Sequence, residues 1–323
     1  MENNIKVTVA CITYNQEKYI KKTIESFLMQ DVDFRYEILI HDDASTDNTA
    51  KIIREYEEKY PDLIKGIYQT ENQYSKGIMV SQIVKKAAKG KYIAICEGDD
   101  YWSDKYKLKT QVEFLENNPE YIAVGHWCEI VDKNDKISNE FVNADQIFNF
   151  KGNEYTLEDY KNNIIPAHMN AIMHKNIYLD SEYDYDKIYK ASKMVGDRTS
   201  YLILVLLGRI YIQHKKMSCY RYVTDEGTSY SAKIKGKNKN YEWYIYYKNL
   251  ENYVFEVMGI KIDLKKLKYE FLIGAITTYI KDRNQVNKGI IKKIIKECNK
   301  TELIWYLPVA IARRIKTNIT KRL

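Results

Sequence analysis

Two adjacent carboxylates, Asp99 and Asp100, with Glu97 two positions before them, are the strongest chemical signal in the sequence. Carboxylates this close repel one another, so a bound cation is the natural compensation. Oxygen ligands suit Mg²⁺ or Mn²⁺, and such an ion also neutralises the charge of a diphosphate group. The cluster therefore predicts a divalent-metal site for a phosphorylated ligand, with a solvated acidic turn as the structural alternative.

A second acidic pair, Asp42 and Asp43, opens a polar turn that includes Ser45 and Thr46. An Asp at the end of a strand can accept a hydrogen bond from the N3–H of a uracil base. Asp, Ser and Thr are also favoured at helix starts for structural reasons alone. Both interpretations stay open, and both can hold together if Asp43 meets a ligand while a hydroxyl caps the helix.

The two acidic pairs follow segments that alternate between strand and helix patterns. Strands are predicted over residues 5–12, 36–40, 64–68 and 92–96, with amphipathic helices between them and Asn15 placed to cap the first helix. This order predicts an α/β fold with a doubly wound, mostly parallel sheet. Ligands collect at the carboxyl ends of the strands in such sheets. Both acidic pairs fall at those ends, so we expect them to frame one crevice.

The alternation weakens after residue 130. Short strands are predicted over 172–174 and 210–212, and a helix over 197–207. From about residue 241 the sequence predicts a mainly helical, lysine-rich region. We therefore expect a catalytic domain over 1–235 and a helical, basic C-terminal region over 236–323.

The composition suits a soluble globular protein, with 45% hydrophobic and 29% charged residues in a chain of 323. The five cysteines form no C-x-x-C pair, which predicts buried free thiols in a reducing compartment. The N-terminus lacks a signal-peptide pattern, and no long apolar run predicts a membrane-spanning helix. Together these observations predict a cytoplasmic protein.

Positive charge is concentrated at the C-terminus, where residues 281–323 hold 12 Lys and Arg against 3 Asp and Glu. Within this region, residues 303–314 are apolar and then basic. This pattern is typical of a segment that lies on the inner face of an anionic membrane, or of a helix packed on the protein with a solvated basic face. No base-stacking motif accompanies the lysines, so nucleic acid is not an expected partner.

Four stretches taken together resemble the family 2 glycosyltransferases, which have the GT-A fold. The resemblance covers residues 5–225 and implies an inverting, metal-dependent transferase, of the hexosyltransferase kind. Its donor would be a nucleotide diphosphate sugar, most commonly a UDP-sugar, and its acceptor a hydroxyl of a glycan or lipid-linked glycan in surface polysaccharide assembly. The four stretches are Val9–Asn15, Ile40–Thr49, Gly90–Trp102, and Gly196-Asp197 together with Cys219–Arg221.

The resemblance implies a donor site on the first two strands and the acidic turn. Thr13, Tyr14 and Asn15 would meet the nucleotide at the end of the first strand. Asp43 would bind the base. Asp100 would bind Mn²⁺ or Mg²⁺, with Asp99 on the ribose or the same metal.

The resemblance also implies the catalytic and acceptor sides of the site. Asp197 would be the catalytic base and Arg221 would face the diphosphate; their structural alternatives are a helix cap and an ordinary surface charge. Trp102 and His168 are candidates for the acceptor side, with packing as the alternative.

The sequence departs from the family pattern at two points. Gly196 stands where an acidic residue usually precedes the base. No His follows the Tyr220-Arg221 pair, and Asp225 or Glu226 could take its place.

Two other functions are alternatives to a glycosyltransferase. A sugar-nucleotide pyrophosphorylase would carry a glycine-rich basic loop after the first strand, where this chain has residues 13–17 without glycine. A catalytically inactive GT-A protein that binds glycans or acts as a scaffold stays open, although the four aspartates at positions 43, 99, 100 and 197 argue against it.

Overall fold

The computed structural model of the protein divides into two compact units. The first comprises residues 1–160, 164–182 and 195–233, and the second comprises 161–163, 183–194 and 234–323. The structure describes residues 5–138, 148–179, 181–191, 196–223 and 238–298, together with Ile304 and Pro308.

The described residues of the first unit form one nine-stranded sheet. Its strands are β1 (Val7–Thr13), β2 (Tyr36–Asp42), β3 (Ile64–Tyr68), β4 (Tyr92–Glu97), β5 (Tyr101–Trp102), β6 (Tyr121–Val131), β7 (Glu154–Tyr155), β8 (Met173–Lys175) and β9 (Arg209–Arg221). Their order across the sheet is β3-β2-β1-β4-β8-β6-β9-β5, with β7 beside β9.

Parallel pairing dominates the sheet. β1 lies between β2 and β4 and is parallel to both, and β3 extends the parallel set beyond β2. β6 and β9 form a second long parallel pair. The short strand β8 joins the two sets through antiparallel pairing with β4 and β6. The prediction of a doubly wound, mostly parallel sheet is confirmed, and the short antiparallel strands β5, β7 and β8 are additions to it.

Ten α-helices occur in the described residues. They are α1 (Ile20–Leu28), α2 (Thr49–Lys59), α3 (Val80–Ala87), α4 (Lys107–Asn117), α5 (Leu157–Lys161), α6 (Tyr185–Tyr189), α7 (Asp197–Leu207), α8 (Asn240–Met258), α9 (Lys265–Lys281) and α10 (Gln285–Glu297). The predicted helix over 197–207 matches α7, and α8 to α10 confirm the C-terminal helices.

Strand β1, which lies between β2 and β4, contributes side chains to the core of the first unit. Val7, Val9 and Cys11 are fully buried at alternate positions of this strand, as the period of a strand requires. Ile24 and Phe27 of α1 pack into the same cluster, three positions apart on one helical face. Because both ends of the β1–α1 connection are anchored in the core, the polar residues between them are held at the strand end.

The second unit has its own core of aromatic and aliphatic side chains. Tyr244 of α8, Tyr269 and Leu272 of α9, and Ile294 of α10 are buried together. None of the helices in the described part of the chain is both long and apolar enough to cross a membrane.

Strand β6 is the main element that the sequence did not predict, along with the two-residue strands β5 and β7. Its polar residues His126 and Glu129 interrupt the apolar pattern, and pairing with β9 along its whole length compensates for them. All five cysteines are free, as expected; four are buried, whereas Cys298 is half-buried. The expected boundary at residue 235, Asp225, Glu226 and most of residues 303–314 lie outside the described residues.

Candidate active site

Gly98 brings the acidic turn after β4 against the end of β1. A Cβ atom at this position would lie 2.4 Å from Gln16 Oε1 and 2.7 Å from Thr13 Cβ. The backbone N–H of Gly98 donates to the carbonyl of Ile12 at 2.9 Å. Only glycine allows so close an approach, so the turn that carries Asp99 and Asp100 is fixed beside Thr13.

Asp100 is buried, and each oxygen of its carboxylate accepts a hydrogen bond from a neighbouring group. Its Oδ1 accepts a hydrogen bond from the backbone N–H of Arg221 at 2.9 Å, and its Oδ2 accepts one from Asn170 Nδ2 at 2.8 Å. His168 Nδ1 lies 3.4 Å from the same Oδ2. Burial, and then the charges of Asp99 and Glu97, raise the pKa of Asp100 well above its ordinary value. This carboxylate therefore ties the acidic turn to β9.

Glu97, Asp99 and Asp197 form one electrostatically linked group of carboxylates. Burial raises the pKa of Glu97 to about 8, and the charges of Asp99 and Asp197 contribute to the rise. Asp197 is exposed at the start of α7; partial desolvation raises the pKa of its carboxyl, and the positive charges of Lys85 and Arg198 oppose that rise. The structure thus brings the first residue of α7 to the carboxyl end of β4, about 100 positions earlier in the chain.

The carboxylates at the acidic turn fit a divalent ion that takes the rest of its ligands from a substrate. Among the described residues, no three His, Cys, Asp or Glu side chains are arranged to hold a metal by themselves. Mg²⁺ is usually bound by one or two carboxylates together with phosphate oxygens and water. Asp99 is half-buried, and its negative charge raises the pKa values of the neighbouring Glu97 and Asp100, a repulsion that a cation would relieve.

Asn15 connects the loop after β1 to the loop after β2. Its backbone N–H donates to Ser45 Oγ at 2.9 Å, and its Oδ1 accepts from the backbone N–H of Thr46 at 2.8 Å. Its φ of 54° lies in the left-handed region, which asparagine tolerates. The expectation that Asn15 caps α1 is wrong, because α1 begins at Ile20. The side chain of Asn15 instead binds the neighbouring loop at Thr46.

Asp43 is buried beside Thr13 and organises the segment that follows β3. Its carboxylate oxygens accept the backbone N–H groups of Gln73 at 2.8 Å and Tyr74 at 3.0 Å. Its own backbone N–H donates to the carbonyl of Thr13 at 3.0 Å. Thr13 is itself buried and donates to Gln16 Oε1 at 2.7 Å, and Tyr14 follows it half-buried. The three donor-side candidates Thr13, Tyr14 and Asp43 are therefore brought together.

Arg221 is buried and connects the end of β9 to two turns. Its Nε donates to the backbone oxygen of Asp99 at 2.9 Å, and its two terminal nitrogens donate to Asp132 O at 2.8 Å and Asp135 Oδ1 at 2.6 Å. The guanidinium lies 4.3 Å above the ring centre of Tyr19. An ordinary surface charge is therefore excluded for Arg221.

Trp102 is a core residue, which corrects the expectation that it stacks on a sugar. Only 1% of it is exposed, and its ring packs on Phe27 with the ring centres 4.7 Å apart. Its indole N–H donates to the backbone oxygen of Asn170 at 3.0 Å. The ring of Trp102 packs inside the protein and its N–H is hydrogen-bonded, so neither face of the ring is accessible to a ligand.

His168 lies at the acidic turn and is stacked on Tyr220, with ring centres 4.0 Å apart. Burial lowers its pKa to about 4, so the ring is neutral at physiological pH. Sequence reasoning missed Asn170, which bonds Asp100, Ser218 and the carbonyl of Cys219 through its side chain. An isolated Asn after a His and a Met carries no pattern that could have revealed this role.

The sequence matches the model of Glycosyl transferase family 2 over residues 8–180, which contain the acidic turn and both neighbouring loops. The chain belongs to this family. It is 39% identical over 136 residues to the uncharacterized protein Rv1520 of Mycobacterium tuberculosis, covering 42% of this chain and 38% of that protein. The chain thus matches less than half of the length of this relative.

Two further comparisons concern named glycosyltransferases. The chain is 32% identical over 142 residues to the Escherichia coli UDP-Glc:alpha-D-GlcNAc-diphosphoundecaprenol beta-1,3-glucosyltransferase WfaP, covering 44% of this chain and 53% of WfaP. The crystal structure of S. aureus TarS 1–349 in complex with UDP-GlcNAc has a TM-score of 0.63 at 18% identity, covering 95% of this chain and 88% of TarS. The latter likeness shows the GT-A fold.

Proposed function

We propose that this family 2 glycosyltransferase moves a sugar, with inversion, from a UDP-sugar to an acceptor hydroxyl in surface glycan assembly. The observation that carries the proposal is the linked group formed by Glu97, Asp99 and Asp197, which combines the acidic turn with a separate carboxylate at the start of α7. A single displacement needs both a base for the acceptor and compensation for the leaving diphosphate.

Asp197 is the proposed catalytic base. It is the exposed first residue of α7, and desolvation raises its pKa; a carboxylate with a raised pKa is a better proton acceptor near neutral pH. Lys85 and Arg198 oppose the rise and so keep the group ionised to a greater extent. Gly196 before it contributes no second carboxylate, so the neighbouring acidic charge comes from the turn after β4 instead.

Asp99 is the proposed main metal ligand, with Asp100 beside it. This reverses the order that the resemblance implies, because Asp100 is only 1% exposed whereas the Asp99 side chain is half-buried and more accessible to an ion. A bound Mn²⁺ or Mg²⁺ would supply positive charge to the donor diphosphate. Asp100 would then orient the turn through its bonds to Arg221 and Asn170.

Thr13, Tyr14, Asn15 and Asp43 are the proposed nucleotide contacts. The carboxylate of Asp43 already accepts two backbone N–H groups, and each oxygen retains a second lone pair for a base N–H. The UDP specificity is supported by WfaP, whose name gives UDP-Glc as donor, and by the UDP-GlcNAc complex of TarS.

The acceptor is proposed to be a glycan or lipid-linked glycan, with His168 on the acceptor side. WfaP supports this proposal, since its name gives a diphosphoundecaprenol-linked acceptor. An acceptor of that kind would favour the inner face of the cytoplasmic membrane, reached through the basic C-terminal region.

Nucleotide release from UDP-, GDP- and dTDP-sugars, measured with and without Mn²⁺, tests the proposed function. We expect release from a UDP-sugar that depends on the metal. Asp197→Asn should slow it by about 10²–10⁴-fold, the usual contribution of a general base, while UDP still binds. Asp62→Asn, at an exposed turn, is the matched control and should change nothing. Failure of every donor to bind or react would favour the inactive glycan-binding alternative.

A further inference from the structure

A cavity of about 310 Å³ lies in the first unit beside the turn that follows β6. Among the residues that line it are four cations and one carboxylate: Lys18, Lys22, Lys133, Arg221 and Asp135. Thr13, Tyr14, Asn15 and Asp43 do not line the cavity, whereas Arg221, which the resemblance places on the donor diphosphate, does.

The turn after β6 gives the cavity a defined wall. Asp132 Oδ1 accepts the backbone N–H groups of Asn134 at 2.7 Å and Lys136 at 3.0 Å, which closes the turn. Asp135 has a φ of 64°, a left-handed conformation that Asp adopts more readily than most residues. Its carboxylate contacts Lys22 Nζ at 2.8 Å and Arg221 at 2.6 Å.

Among the described residues that line this cavity, cationic side chains outnumber carboxylates. The single carboxylate of Asp135 is shared by Lys22 and Arg221, and Lys18 and Lys133 add two further cations. Within the described residues, three of the five guanidinium N–H groups of Arg221 meet an acceptor. A concave, cationic surface of this kind attracts anions, and lysine and arginine are the side chains that bind phosphate.

Two residues that line the cavity contact the acidic turn and the strand that follows it. Arg221 Nε donates to the backbone oxygen of Asp99, and the ammonium group of Lys22 lies 3.8 Å from the ring centre of Tyr101. An anion held here would therefore lie next to the residues proposed to bind the donor, and not on a remote surface.

We propose that this cavity binds a phosphate group carried by the acceptor. Lys18 and Lys133 are its adjustable contacts, and Arg221, held by Asp99, Asp132 and Asp135, is its fixed contact. The inference rests on the proposed function and narrows the acceptor to a phosphate-bearing molecule. A second source of the same chemistry is the donor diphosphate, and the experiment separates the two.

Calorimetric titration of inorganic phosphate into the full-length protein, with Mg²⁺ and saturating UDP, tests the cavity. Because UDP fills the donor diphosphate site, phosphate that still binds must occupy a different site. We expect the K18Q/K133Q double variant to bind phosphate about tenfold or more weakly than the wild type. K51Q/K65Q removes two exposed lysines elsewhere and should leave the phosphate affinity unchanged.

Three results would overturn the inference. The first is a phosphate affinity that is the same in K18Q/K133Q and in the wild type, and the second is no phosphate binding to the UDP-saturated wild type. The third is weaker UDP binding by K18Q/K133Q without loss of phosphate binding, which would assign the cavity to the donor. Failure of the wild type to bind UDP at all would count against the proposed function, and phosphate titration of the UDP-free proteins would still test the lysines.

Discussion

Lys107, the first residue of α4, is a fully buried lysine. Its ammonium group lies 4.1 Å from the ring centre of Trp102 and donates to Gln111 Oε1 at 2.8 Å. Burial lowers the pKa of Lys107 from 10.5 to about 7, and the nearby Cys96 only partly opposes this. Because the folded state favours the neutral amine, Lys107 lowers the unfolding free energy at pH values where its side chain is protonated in the unfolded chain.

Replacing Lys107 with Met should therefore stabilise the protein in a pH-dependent way. Above its unfolded pKa of 10.5 the lysine is neutral in both states, so its charge does not lower the unfolding free energy. As the pH falls from 10.5 towards about 7, burial of this lysine lowers the unfolding free energy progressively, and below about 7 the effect is constant. In that window the difference in unfolding free energy between K107M and wild type should grow by about 1.4 kcal/mol per pH unit. Urea unfolding at several pH values between these limits measures it, with the exposed Lys51→Met as control. A difference independent of pH would show that Lys107 keeps its charge when folded.

Asn170 is a buried amide that satisfies Asp100, Ser218 and the carbonyl of Cys219 at once. Asn170→Ala removes these bonds and leaves buried polar atoms without partners, so we expect a loss of at least about 2 kcal/mol in unfolding free energy. Denaturant unfolding measures the loss. Asn153→Ala removes an exposed asparagine and should change the same quantity by less than about 0.5 kcal/mol. Equal effects of the two substitutions would contradict the proposed role of the buried amide.

At the scale of elements, the close contact between β1 and the turn after β4 depends on Gly98. Alanine there would place a methyl group within 2.7 Å of Thr13 and Gln16, so the two loops must separate. We expect Gly98→Ala to lower the unfolding free energy by about 1–3 kcal/mol and to weaken UDP binding, because Thr13 and Asp99 move apart. Denaturation and UDP titration measure the two effects.

Gly289 provides the matched control for Gly98. It lies within α10, where an added Cβ meets no atom within 4 Å. Gly289→Ala should therefore stabilise the protein by about 0.5–1 kcal/mol, since alanine is the better helix former. If Gly98→Ala behaved in the same way, the turn after β4 would not need the close approach.

At the scale of the whole molecule, the elements whose patterns are local were predicted well. The strand over 64–68 and the helix over 197–207 have the predicted bounds, because their apolar spacing alone distinguishes strand from helix. β6 was missed because its stability comes from pairing with β9, some 90 positions later in the chain. The two-residue strands β5 and β7 likewise exist only through pairing with β9.

The sequence by itself determined the family, the order of strands and helices, and which carboxylates stand at strand ends, because motif spacing and hydrophobic period are local properties. Tertiary structure decided the rest: it buried Trp102, recruited Asn170 to Asp100, and placed Arg221 between the acidic turn and Asp135. These contacts join residues 70 or more positions apart. Burial and hydrogen-bond partners at such separations depend on how the layers pack, and no local pattern encodes them.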